Sequence, residues 1–406
     1  MNRSATTRAL LAPAVLLAAL AAQPAAAQTA YTGTYYVPGL NENSSVWTAR
    51  NTTGRIATRV DAGSVRLPNQ STLAPIDYQA GELAGLVRGE PAGATFFFVG
   101  HSMGGPVSRD MLLSSNPQIN VAPRVAGIVT VVSPNKGAPV AEKAQQYDPR
   151  TTLGVIEGLI HTIRLAIINP LLGLLDAILS VFVRTKLDEQ LFSKLNETAK
   201  ALKSPGAIDL RPSSATIQFL GNTGDGVPHA AVWGTVPQQY SWVRLAASRE
   251  YQNPEDLVRK VRSNRSSLKL CAALFYNIII KTGTGKACRT GERAIGGFDD
   301  RWKEWVHFNY SRNSPTDGLL PEETLRYPLE YNAARQLRAN GTEDHYSIMW
   351  RDPGVTRIAD GMLAAGMRPA APPPPTEPDP YDPPPPDNCG YDNLRFRQQY
   401  ELCHAN

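Results

Sequence analysis

Cysteine is scarce, with 4 in 406 residues. None stands in a C-x-x-C pattern, which argues against a thiolate metal site. Neither sign of charge dominates: 41 Lys and Arg face 36 Asp and Glu, a formal net charge of +5. No block of basic residues occurs, so nothing points to a nucleic-acid partner. Past the N-terminus there is no uninterrupted apolar run approaching the roughly 20 residues of a spanning helix. Histidine is also rare, at 6, so few side chains are available for proton transfer near neutral pH.

What is present begins at the N-terminus. Met1-Asn2-Arg3 and Arg8 precede an apolar run over residues 9–22 and then Ala25-Ala26-Ala27. A basic start, an apolar centre and an A-x-A site describe a secretory signal, with cleavage expected after Ala27. Its removal takes out Arg3 and Arg8 and lowers the net charge from +5 to +3. No cysteine stands at the cleavage point, so a lipid anchor is not indicated. The mature chain is expected to be secreted or periplasmic, with no transmembrane segment. Export permits disulfides, and the most sequence-local of the three connectivities pairs Cys271 with Cys288 and Cys389 with Cys403.

The most informative stretch is residues 94–105. Residues 96–99 form a short aromatic and apolar run suited to a buried strand. Gly100-His101-Ser102-Met103-Gly104 follows. It fits the G-x-S-x-G elbow, a sharp strand-to-helix turn that presents a serine, with glycines where a side chain would strike a neighbouring element. Val107, Met111 and Leu112 then have helical spacing, and Asn116-Pro117 ends the run.

A reactive serine needs a base and an orienting acid, which in such a fold follow in the order Ser, Asp or Glu, His. His101 lies inside the elbow, where it packs the turn. His161 falls in an amphipathic insert, His404 in the tail, and His307 among Trp302, Trp305 and Phe308 as a packed core residue. His345, in a late polar loop beginning Gly341-Thr342-Glu343-Asp344, is the candidate base. Asp317, in Thr316-Asp317-Gly318, is the candidate acid, with a helix at about 328–338 expected between the two. The rival pair, Asp225 and His229, is too close in sequence to occupy separate loops. The N–H of Met103 is the first candidate oxyanion donor. The loop Pro38-Gly39-Leu40-Asn41, after a strand ending at Val37, offers Leu40 N–H as the second.

Together, Val37-Pro38-Gly39-Leu40, the elbow Gly100 to Gly105, Ser133-Pro134-Asn135-Lys136-Gly137-Ala138-Pro139, Asp209-Leu210-Arg211-Pro212-Ser213-Ser214, Asp317-Gly318 and Asp344-His345 resemble secreted bacterial triacylglycerol lipases of the α/β-hydrolase superfamily. The resemblance spans roughly residues 34–365. That family usually carries His where this chain has Pro38 and Asn135. The resemblance implies an α/β-hydrolase fold and a Ser102, Asp317, His345 triad acting on carboxylic esters without a cofactor. Some relatives hold a structural calcium, but no run of oxygen ligands argues for one here.

Strands are expected at residues 35–37, 96–99, 125–132, 216–220 and 231–236, with helical patterns between several of them, such as 77–88. Alternation of this kind implies a mainly parallel, doubly wound α/β sheet over residues 28–367. Two long insertions interrupt it, at about 140–205 and 240–312. The first carries an apolar stripe at helical period, including Ile156, Ile160, Ile163, Ile167, Leu171 and Leu174, with Asn169-Pro170 dividing it into two helices. Charges at Glu157, Arg164, Asp176 and Arg184 interrupt it too often for a membrane span. Following the third expected strand, it reads as a lid over an acyl channel, with residues 151–184 able to meet a lipid–water interface. Residues 368–387 form a Pro-rich linker, and 388–406 a small disulfide-closed tail. The chain thus reads as an exported hydrolase of apolar acyl esters. A phospholipase, a polyester depolymerase or an acyltransferase would use the same triad, and a non-catalytic surface or membrane-binding relative would keep the fold without the chemistry.

Overall fold

The computed structural model describes residues 31–146, 197, 200–224, 226–248, 254–277, 283–328 and 335–372. The signal segment, most of the first insertion including His161 and the 151–184 stripe, Asp225, and the linker and tail with Cys389, Cys403 and His404 lie outside the described residues. By its contacts the chain divides at Ala370 into a large unit, Met1–Ala370, and a second, Ala371–Asn406.

Six strands form one all-parallel sheet in the order β2-β1-β3-β4-β5-β6. They are β1 (Gly33–Val37), β2 (Ser64–Arg66), β3 (Phe96–His101), β4 (Val125–Val131), β5 (His229–Trp233) and β6 (Gln336–Arg338). β1, β3, β4 and β5 are buried along their whole length. Parallel sheets are covered on both faces, so their central strands are continuously apolar rather than alternating. That accounts for the aromatic run in β3, where Phe98 stacks on Tyr35 at 5.2 Å and Phe97 meets Tyr31 edge-on at 4.7 Å.

The helices that cover the sheet follow from connection handedness. The chain steps one way from β1 to β2 and the other way from β2 through α1 (Ile76–Gly89) to β3. Right-handed crossovers therefore put the short helix Thr52–Ala57 on one face and α1 on the other. The next crossover, α2 (Gly104–Leu113), steps in the same direction as α1 and packs against it. The last helix, α9 (Asp352–Ala364), packs on the Thr52–Ala57 helix and on β4 to β6, closing the opposite face. This is a doubly wound, parallel α/β core, with the elbow after β3 and the late loop after β6.

Four sequence expectations are corrected. Residues 216–220 are not a strand but lie in α5 (Ala215–Asn222). Ser214 caps it by accepting the Ile217 N–H at 3.1 Å, and only Ile217 and Leu220 are buried along it, an i, i+3 pattern. The helix expected at about 328–338 is absent over 336–338, which form β6 against Ala231, Val232 and Trp233. Residues 329–334 lie outside the described residues. The last expected strand is displaced to His229–Trp233, and Val236 instead makes an isolated antiparallel bridge to Thr316. Because β2 precedes β3, the first insertion follows the fourth strand in chain order rather than the third. Its described flanks are α3 (Pro139–Gln146) and, beyond residue 200, α4 (Pro205–Asp209).

The second insertion is helical: α6 (Ser241–Ser248), α7 (Pro254–Asn277) and α8 (Gly283–Val306). α7 and α8 pack on each other, and α8 also packs on α3.

On α2, Asp110 is a buried carboxyl pushed up from 3.8 to about 6, first by burial and then by the negative charges of Asp77 and Asp209. The native carboxyl holds its proton more tightly than the unfolded one. Its favourable contribution is complete below about pH 4 and lost as pH rises through about 6. Asp110→Asn is therefore expected to be more stable than the natural protein at pH 7.5, by about 2–3 kcal/mol at roughly 1.4 kcal/mol per pH unit. The gap should close below pH 4, where the protonated acid and the amide are near-isosteric. Urea unfolding at both pH values checks this, and equal stability of the two proteins at pH 7.5 contradicts it.

Candidate active site

The site is built where β3 ends. Ser102 follows the strand directly and adopts φ +51°, the left-handed region that a non-glycine side chain enters only at a cost of about 1–2 kcal/mol. Its N–H is held by the Val131 carbonyl of β4 at 2.9 Å. The flanking glycines allow the tight passage. A Cβ on Gly100 would lie 2.4 Å from the Gly104 carbonyl carbon, and one on Gly104 would lie 2.5 Å from the Val37 carbonyl oxygen.

Two loops bring polar side chains to the serine. His345 Nε2 lies 2.9 Å from Ser102 Oγ, and His345 Nδ1 lies 2.6 Å from Asp317 Oδ2. A carboxylate can only accept, so the proton sits on Nδ1 and Nε2 is left to accept the serine hydroxyl. Asp317 and His345 are 0% and 1% exposed and Ser102 is 7% exposed, so only the serine opens to solvent. The remaining oxygen of Asp317, Oδ1, accepts from the N–H groups of Leu319 at 2.9 Å and Leu320 at 2.7 Å.

The Asp317 turn hangs on β5 through the Val236–Thr316 bridge. From α8, Trp302 donates its indole N–H to the Gly318 carbonyl at 2.9 Å. The second insertion, for which the sequence suggests no role, thus supports the turn that carries Asp317. The His345 loop is fixed differently. Asp344 Oδ1 accepts from the N–H groups of Tyr346 and Ser347 at 3.0 and 2.9 Å, and Ser347 Oγ accepts from Asp344 N–H at 2.9 Å. This reciprocal cap starts the short 3-10 turn Ser347–Met349. Burial pushes the Asp344 carboxyl up, against the pull of those N–H donors.

Leu40 lines the cleft beside Ser102, and Met103 follows the serine in the chain. Neither backbone N–H makes a hydrogen bond among the described residues. A Cβ on Gly39 would come within 2.7 Å of Ser102 Cβ, so the β1 loop runs against Ser102 and only glycine permits it. A mostly apolar cleft adjoins Ser102, with Leu40, Ala138, Val140, Leu202 and Leu319 among its walls.

Of the other described histidines, His229 and His307 stand apart from the serine. His229, of the rival pair, lies buried in β5 and stacks on Tyr327 at 4.1 Å. His307 is buried, its ring nitrogens each 3.0 Å from the carbonyls of Lys303 and Ser314. His101, read from the sequence as packing for the turn, bridges two polar groups: Nδ1 lies 2.7 Å from Glu42 Oε2 and Nε2 lies 2.8 Å from the His345 carbonyl. Glu42 was not visible as a site residue, since its partner is 59 positions away.

Among the described residues no helix is long and apolar enough to cross a membrane. No protein-family model matches the chain. No curated protein matches it either. Solved structures similar to it include a Bacillus licheniformis lipase in its mature form, at 14% identity and a TM-score of 0.37, covering 82% of this chain and 89% of that one. The chain spans about half of the propeptide form of the same lipase, 51% at 14% identity and a TM-score of 0.41. A metagenomic carboxyl esterase is 17% identical over 83% of this chain and 74% of that one, with a TM-score of 0.37.

Proposed function

We propose that the chain is an exported serine hydrolase that cleaves carboxylic esters with apolar acyl groups. The carrying observation is the Ser102–His345–Asp317 line, 2.9 and then 2.6 Å, on a serine held at positive φ. In this reading Ser102 Oγ attacks the ester carbonyl carbon as His345 Nε2 takes its proton. The carbonyl oxygen becomes an oxyanion and receives the N–H groups of Leu40 and Met103. Collapse breaks the bond to the alcohol oxygen, which takes the proton from His345. Water then repeats the sequence on the acyl-enzyme and releases the acid. Asp317 holds the imidazole in the required tautomer and stabilises its charged form. The apolar walls beside Ser102 suit an acyl chain, and the described residues that line them include no Lys or Arg.

A fluorophosphonate probe tests the chemistry, because only an activated serine is labelled. Labelling at Ser102, mapped by peptide mass, is the expected result. An unlabelled protein, or labelling elsewhere, contradicts the reading.

Export carries its own expectation. Protein recovered from outside the cytoplasm should begin after Ala27, with all four cysteines oxidised in the pairs Cys271–Cys288 and Cys389–Cys403. Supporting this, Cys288 is buried on α8, and there is no free cysteine among the described residues. Intact mass with alkylation under denaturing conditions reads both features. Residue 1 still present, or four alkylated thiols, contradicts the export reading.

A further inference from the structure

Beneath the serine lies a second carboxylate–imidazole pair that the hydrolytic steps do not use. Glu42 Oε2 sits 2.7 Å from His101 Nδ1, and the same oxygen accepts the Gly39 N–H at 2.7 Å. His101 Nε2 faces the His345 carbonyl oxygen at 2.8 Å and so donates to it. The two side chains are 4% and 0% exposed, and Trp47 closes over the His101 ring edge-on at 6.3 Å. Both ring nitrogens face acceptor oxygens, so both donate and the ring is an imidazolium paired with the Glu42 carboxylate. A buried ion pair is unfavourable unless both partners are well bonded. These three bonds run to segments that each supply a group to the site.

Those segments share no local constraint. Gly39 precedes Leu40, the candidate oxyanion donor, and its carbonyl accepts the Glu42 N–H at 3.2 Å, closing a tight turn with Asn41 at φ +55°. His101 precedes Ser102. His345 is the base itself. Asp317 fixes the imidazole of His345 through Nδ1 and its backbone N–H through a 2.9 Å bond to the Asp317 carbonyl. The His345 carbonyl, on the other side of that residue, is fixed by His101. The bridge thus ties the β1 loop, the elbow and the late loop across 59 and 244 positions of chain.

We propose that Glu42 and His101 form a positioning pair that holds the Leu40 N–H and the His345 ring in register with Ser102. The inference rests on the serine-hydrolase reading above. Removing the pair leaves Ser102, His345 and Asp317 chemically intact but lets the β1 loop and the base drift. An oxyanion donor counts mainly in the transition state, so the loss should fall on kcat and spare KM.

The test uses the mature protein with p-nitrophenyl butyrate as substrate and butaneboronic acid as inhibitor, whose tetrahedral adduct on Ser102 places an oxygen at the oxyanion position. Deleting one oxyanion donor outright costs about 10²–10³-fold, so displacing it by Glu42→Ala should lower kcat by roughly 30–100-fold. KM should stay within about 3-fold, and boronate affinity should fall by the same factor as kcat. His101→Phe should behave alike. The double variant should be no worse than the poorer single, because both substitutions cut one bridge. Glu42→Gln supplies a milder arm should the alanine variant fail to fold. Its amide oxygen can still accept from both Gly39 and His101, as Oε2 does, but carries no negative charge for the ring, so a smaller kcat loss of about 10-fold is expected.

Unchanged kcat and boronate affinity in the folded variants overturn the pairing, as do a loss confined to KM or losses that multiply in the double variant. Fluorophosphonate labelling separates the two levels. Normal labelling and hydrolysis without Glu42 sink the pairing alone, while an unlabelled natural protein sinks the hydrolase reading and the pairing with it.

Discussion

Ser102→Ala is expected to lower ester hydrolysis by about 10⁶-fold and leave the fold intact. The chemical half follows from the site. Among the described residues the serine hydroxyl is the side-chain group within hydrogen-bond distance of His345 Nε2, at 2.9 Å. The residual rate would come from binding and the oxyanion donors acting on water. The structural half follows from the backbone. Alanine inherits the φ of +51° with no larger steric penalty than serine, and the Ser102 N–H keeps its bond to Val131. Ser102→Gly makes a useful companion. It is equally inactive, but it relieves the left-handed strain of about 1–2 kcal/mol and should melt above the alanine variant. Activity should be assayed on p-nitrophenyl butyrate after correction for contaminating hydrolases. A Ser102→Ala protein working at near the natural rate removes Ser102 from the mechanism.

The parts of this molecule that could be read from sequence are those with local signatures. The β3 run is continuously apolar because both faces of the sheet are covered, and the elbow glycines mark two backbone approaches closer than a Cβ allows. β2 and β6 carry no such signature. Each has three residues, exposed or half-buried, and becomes a strand only because a longer neighbour offers it a hydrogen-bonding edge. Residues 216–220 misled for the opposite reason: their apolar composition suits a strand, while the Ser214 cap and the Ile217–Leu220 spacing specify a helix. At the site, Ser102, Asp317 and His345 were reachable because elbow, chain order and loop chemistry constrain them. Trp302 and Glu42 were not. Each acts through one bond to a distant segment, and a single long-range contact leaves no periodicity or spacing to find.

Asp317→Asn is expected to cut turnover by about 10⁴-fold without unfolding the protein, for a reason written into its loop. Oδ1 of Asp317 accepts two backbone N–H groups, from Leu319 and Leu320, while Oδ2 faces His345 Nδ1 at 2.6 Å. An asparagine must point its carbonyl oxygen at the two N–H donors, which places its NH₂ against Nδ1. A donor there forces Nδ1 to accept and moves the ring proton to Nε2. Nε2 then donates where it must accept, and Ser102 has no base. The effect should fall on kcat, with KM and the thermal melt nearly unchanged, because the backbone bonds of the turn and the Trp302–Gly318 bond survive. His229→Ala, made in parallel, should keep most of the activity, since that ring stacks on Tyr327 in β5 and makes no bond to Ser102 among the described contacts. Full activity in Asp317→Asn, or collapse of activity in Asp225→Asn at an unchanged melt, transfers the acid to another residue and with it the assignment of the late loop.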